Sequence, residues 1–128
     1  MSFGSIFTDV DWILFSIRSN DFKSFQKSYD ADKLTGEKQY LDIMYCNGTQ
    51  DTRFFVHVLE NNPIYSDLKG KGILMAIATV INRNNLPCLE ILISKGVPKE
   101  AFRTVILQFQ GKKEENNEAY QIIRKYIE

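Results

Sequence analysis

The sequence lacks an excess of either charge: sixteen Lys and Arg stand against sixteen Asp and Glu over 128 residues. A chain built to hold nucleic acid or an anionic membrane surface needs a basic surplus, so the balance argues against both as a dedicated role. Cysteine is scarce. Cys46 and Cys88 are the only two, each inside an apolar helical run, and two unclustered thiols make neither a metal site nor a disulfide framework. We expect buried thiols in a reducing compartment. Long uninterrupted apolar runs are missing as well. The apolar N-terminal stretch 1–17 has no basic leader and is interrupted by Asp9 and Asp11, which fits neither a signal peptide nor a membrane span and leads us to expect a cytoplasmic protein. There is one histidine, His57, and no HExxH or Ser-His-Asp pattern to give it a catalytic or metal-ligating setting. "GKG" at 70–72 lacks the rest of a phosphate loop and reads as a flexible connection. Three prolines are present, Pro63, Pro87 and Pro98, each where a helix would start or stop.

What the chain does have is helical periodicity. Val10, Ile13, Leu14 and Ile17 fall at i, i+3, i+4 and i+7, with Trp12 and Phe15 forming a second stripe beside them. After Asn20-Asp21, Phe22, Phe25 and Tyr29 make a shorter amphipathic segment. The pattern recurs with Tyr40, Leu41, Ile43, Met44 and Tyr45, stopping at Asn47-Gly48, and with Phe54, Phe55, Val58 and Leu59, stopping at Pro63. Leu74, Ile77, Ala78 and Ile81 repeat it, with Ile73, Ala76 and Val80 broadening the apolar face, and Asn82 to Asn85 reads as a turn. "LPCLEILISKGVPKE" (86–100) then places Pro87 in a first turn, Gly96 at a left-handed C-cap and Pro98 at a restart. Phe102, Val105, Ile106 and Phe109, and finally Ala119, Ile122, Ile123 and Tyr126, complete eight segments in four pairs. No run alternates with period two. The expected fold is therefore all-α, one domain over 1–128, with helix pairs about thirty residues apart stacking on a shared core.

"GILMAIATVINRNNLPCLEILISKGVP" (72–98) resembles an ankyrin repeat. Leu74 and Ile77 stand where the first helix carries Leu and Ala; Cys88, Leu89, Ile91 and Leu92 resemble the second-helix pattern, and Lys95-Gly96-Val97 its exit. "LFSIRSNDFKSFQKSY" (14–29) resembles the same unit, with Asn20-Asp21 at its turn. The Thr-Pro-Leu-His start is replaced by Gly72-Ile73-Leu74-Met75, and the 82–85 turn is about three residues too long for the repeat. An irregular α-bundle and a HEAT-like array are the alternative architectures. The resemblance implies a protein-binding surface formed at connections between repeats, which points to Ile64, Tyr65 and Asp67; Trp12 joins them because it lies off the main apolar stripe. Phe3 and Phe7 are candidate end caps or anchors.

Carboxylate pairs occur at Asp9/Asp11, Asp30/Asp32 and Glu114/Glu115. The first suits a helix dipole and the others polar connections. The basic residues Lys69, Lys71, Lys112, Lys113, Arg124 and Lys125 are diluted by Asp67, Glu114, Glu115 and Glu128. We therefore expect no catalysis, no cofactor and no metal. The small, motif-poor chain resembles bacterial immunity proteins, which bind and neutralise a toxin, so a toxin domain is the expected partner. A regulatory or viral ankyrin-type adaptor and a small helical nucleic-acid-binding regulator are the alternatives, and steep salt dependence would mark the last.

Overall fold

The computed structural model describes residues 9–128, so Phe3 and Phe7 lie outside the described residues. Eight α-helices follow one another: α1 Asp9–Arg18, α2 Phe22–Ser28, α3 Leu41–Cys46, α4 Thr52–Asn61, α5 Lys71–Arg83, α6 Leu86–Ser94, α7 Lys99–Gln108 and α8 Glu118–Ile127. The described residues contain no strand, and short 3-10 turns occupy connections at 31–33, 36–38, 63–65 and 113–116.

Local chemistry accounts for the helix boundaries. Asp21, Asp51, Asn85 and Asn117 accept backbone N–H bonds at the starts of α2, α4, α6 and α8, satisfying donors that the helix itself cannot. The exits are equally defined. Asn20 (φ 55°), Asn84 (φ 49°) and Gly96 (φ 86°) are left-handed. In each case the following N–H returns to a carbonyl five residues back: Asp21 to Ser16, Asn85 to Val80 and Val97 to Leu92. These are Schellman stops, and the left-handed C-cap expected at Gly96 is present. The 82–85 turn differs from its sequence reading. α5 continues to Arg83, leaving only Asn84-Asn85 between helices; the α1–α2 link, Ser19-Asn20-Asp21, is one residue longer but likewise places a left-handed Asn before the capping residue.

Helices touch in two rows. α1 packs on α3, α3 on α5 and α5 on α7; α2 packs on α4, α4 on α6 and α6 on α8. Partners within each consecutive pair also touch. Buried residues from all eight helices form one cluster, among them Ile13, Phe25, Ile43, Phe54, Ile77, Leu89, Phe102 and Ile123. Burying a side chain of this size stabilises by about 1.5–3 kcal/mol, which helices of six to thirteen residues need because they are marginal alone.

Gly72 is no flexible connection. It lies buried in the first turn of α5, where a Cβ would fall far inside contact distance of the Ile64 carbonyl oxygen and 2.9 Å from Tyr65 Cδ1. The absent side chain lets the 63–65 turn seat directly on α5.

Candidate partner-binding surface

The four residues singled out from sequence separate in the structure. Trp12 is 42% exposed on α1, its ring edge-to-face with Phe15 at 6.3 Å, and Phe15 is 64% exposed. Asp67 is exposed, its side chain accepting the Lys69 N–H in a local turn, and Ile64 is half-buried against the core. Tyr65 corrects the sequence expectation. It was expected as an exposed aromatic in a polar connection, but it is 2% exposed. Gly72 admits its ring against α5, and its hydroxyl reaches an acceptor inside.

That acceptor is Asp42, itself 1% exposed on α3. Its Oδ1 accepts the Tyr65 hydroxyl at 2.7 Å and the Ile43 N–H at 2.7 Å; its Oδ2 accepts the Tyr29 hydroxyl and Asn62 Nδ2 at 3.0 Å. Asn62 Nδ2 also donates to the Tyr29 hydroxyl at 3.1 Å. Four donors from α2's end, α3 and the 62–65 segment thus meet at one carboxyl group. Burial, with Asp42 beside them, raises the pKa of both tyrosines well above the ordinary value, so neither phenol is activated as a base. Sequence reasoning passed over this node. Its one signal is an acidic residue inside the otherwise apolar "YLDIMYC" (40–46).

A second buried polar link holds neighbouring pairs together. Asn85, fully buried, donates through Nδ2 to the carbonyls of Asn47 (3.2 Å) and Thr49 (2.8 Å), while its Oδ1 caps α6 at the Cys88 N–H. Asn47 Nδ2 donates to Ile43 O and Thr79 Oγ1, both at 2.8 Å.

His57 is half-buried on α4 beside Phe22, Phe25 and Tyr29, each ring meeting it edge-on at 5.7–5.9 Å. Its Nδ1 faces Asn61 Nδ2 at 3.3 Å, and desolvation lowers its pKa. Cys46 and Cys88 are free and buried. Desolvation lifts the Cys46 thiol well above its ordinary pKa and the Cys88 thiol to about 12, so both are inert as nucleophiles at neutral pH. Among the described residues no cluster of His, Cys, Asp and Glu is placed to hold a metal ion, and no helix is long and apolar enough to cross a membrane.

The surface holds an open groove of about 480 Å³ where the C-terminal ends of α1, α3 and α5 meet. Leu14 and Ile17 of α1 and Met44 and Tyr45 of α3 line it, and Asn20, Gly48 and Thr49 contribute loop atoms. Another groove, of about 420 Å³, lies between α7 and α8, lined by Ile106, Tyr120 and Ile127 with Glu115, Arg124 and Glu128 at its margin. Leu107 and Ile122, 63% and 41% exposed, are on the same two helices. No protein-family model matches the chain, and neither a curated protein nor a solved structure matches it.

Proposed function

We propose that the chain is a non-enzymatic protein-binding module, an ankyrin-like stack of four helix pairs, and that its partner is a toxin domain that it neutralises. The observation that carries the binding reading is the exposed Trp12–Phe15 pair on α1. Two large rings held edge-to-face at the surface are rigid anchors of the kind that dominate protein interfaces. The stacked reading is supported by the two rows of helix contacts and by the similar turns at Asn20-Asp21 and Asn84-Asn85, each a left-handed Asn followed by a helix cap. With Tyr65 buried, the anchor role moves from the 61–72 connection to α1.

The test is capture of a partner by the tagged chain in its own cells, followed by calorimetry with the purified partner. The double variant Trp12→Ala/Phe15→Ala should bind at least about tenfold more weakly with little change in stability, because exposed residues contribute little to folding. The complex should also abolish the partner's toxicity. Unchanged affinity in the double variant would remove α1 as the interface, and a partner that stays toxic when saturated would remove neutralisation.

A further inference from the structure

The groove at the C-terminal ends of α1, α3 and α5 has a charge pattern that its floor does not explain. Its two charged lining residues are both arginines, Arg18 at the end of α1 and Arg83 at the end of α5. Both are exposed, and neither guanidinium is in an ion pair or side-chain hydrogen bond among the described residues. Among the described residues no acidic side chain lines the groove. Two other basic side chains are held by carboxylates: Arg53 by Asp51 at 2.7 Å and Lys95 by Glu60 at 3.5 Å. The α7/α8 groove likewise mixes Arg124 with Glu115 and Glu128, so it selects no sign of charge.

Between the arginines the floor is apolar. Ile17 is buried, Leu14 and Tyr45 are half-buried, and Met44 is 39% exposed. Methionine is unbranched and polarizable, and adapts to an incoming apolar ridge. Arginine presents a planar fork of donors suited to carboxylates. Phe15, 64% exposed, is adjacent to Leu14 and three residues before Arg18, so the exposed aromatic pair continues onto the groove's margin.

We propose that this groove docks an acidic amphipathic helix of the partner protein, whose apolar ridge lies on Leu14, Met44 and Tyr45 and whose flanking carboxylates pair with Arg18 and Arg83. The inference rests on the protein-binding reading above and gives that partner a chemistry. A helix fits because the groove runs across three helix ends without a sheet edge to extend, which leaves ridge-in-groove packing as the mode of recognition. Two like charges on the rim repel a basic segment and so set the choice of partner.

The test uses two synthetic fourteen-residue helical peptides of one design. Each carries Leu and Phe at i, i+3, i+4 and i+7; one has Glu on both flanks and the other Lys. Binding is followed by Met44 methyl chemical shifts, with Met75 as the internal reference, and by calorimetry. The Glu peptide should bind and move Met44, and the Lys peptide should bind at least tenfold more weakly. Arg18→Glu/Arg83→Glu, whose fold is checked by circular dichroism, should reverse that order, and the neutral Arg18→Gln/Arg83→Gln should abolish the preference. Equal binding of the two peptides, an unmoved Met44, or a preference that survives the charge reversal would each overturn the groove assignment. A captured partner that still depends on Trp12 and Phe15 in the charge-reversed protein would show that the groove fails while the binding reading stands; loss of every partner in the wild-type chain would fell the binding reading itself.

Discussion

At the scale of single residues, Asp42 concentrates more of the fold than any other polar group on view. A buried carboxyl group is tolerable because donors surround it, and those donors come from Tyr29, Tyr65, Asn62 and the Ile43 N–H. Removing the acceptor leaves the Tyr65 hydroxyl and the Ile43 N–H without it and Asn62 Nδ2 with the Tyr29 hydroxyl alone, at a cost of about 1–3 kcal/mol for each donor left buried and unpaired. Asp42→Ala should therefore lose roughly 3–5 kcal/mol in a denaturant titration, a large share of a typical 5–15 kcal/mol. A loss below about 1 kcal/mol would mean that water reaches these groups. The same node sets an alkaline limit. Tyr29 and Tyr65 have pKa values raised in the folded state, whereas in the unfolded chain they ionise near the ordinary value of about 10. Below that value both states keep the proton and the contribution is fully present. Above it the unfolded chain releases protons that the folded chain retains, so stability falls as pH rises past about 10. Followed by phenolate absorbance, two of the six tyrosines should ionise only as the helical signal is lost. Ionisation of all six before any loss of helix would contradict the geometry of the node.

At the scale of elements, two glycines separate a local requirement from a tertiary one. Gly96 is left-handed with open space around its Cβ direction, so its role is conformational. Gly96→Ala should cost about 1 kcal/mol and lower the melting temperature by roughly 3–6 °C. Gly72 has ordinary helical backbone and no open space, because the Ile64 carbonyl and the Tyr65 ring lie against it. Gly72→Ala should raise intrinsic helix propensity yet destabilise by about 2–3 kcal/mol through overpacking. Thermal melts of the two variants should therefore rank Gly72→Ala as the more damaging. The reverse order would place the 63–65 turn away from α5.

At the scale of the whole molecule, short helices that share one core should unfold together. Asn85 couples the α3–α4 link to the start of α6, and Asn117 Nδ2 with Ala119 N–H ties α8 to Ile81 and Asn84. These bonds span 35 to 38 residues and tie the second pair to the third and the third to the fourth, as Tyr29 and Asp42 tie the first to the second. Urea unfolding followed by far-UV circular dichroism and by fluorescence of the single tryptophan, Trp12, should give coincident midpoints. An earlier midpoint for Trp12 would mean that α1 opens by itself, which would separate the proposed interface from the rest of the stack.

The helices were legible in the sequence because their causes are local. A 3.6-residue stripe, an Asp or Asn cap and a left-handed stop are each written within one or two turns, and eight segments follow from them. Even the misread turn at 82–85 erred only over where α5 ends, since Asn82 and Arg83 are polar yet helical. The candidate surface was legible in part: Trp12 lies off the core stripe and is exposed. Tyr65 was not, because exposure depends on what approaches from outside the local window. Its ring is covered through the missing side chain of Gly72, seven residues on, and its hydroxyl is held by Asp42, 23 residues back. The groove with Arg18 and Arg83 has the same character: α1, α3 and α5 each end in an ordinary way, and only packing brings the two guanidiniums to one apolar floor. Periodicity and caps decide which residues form helices, whereas contacts between residues distant in the chain decide which side chains are left for a partner.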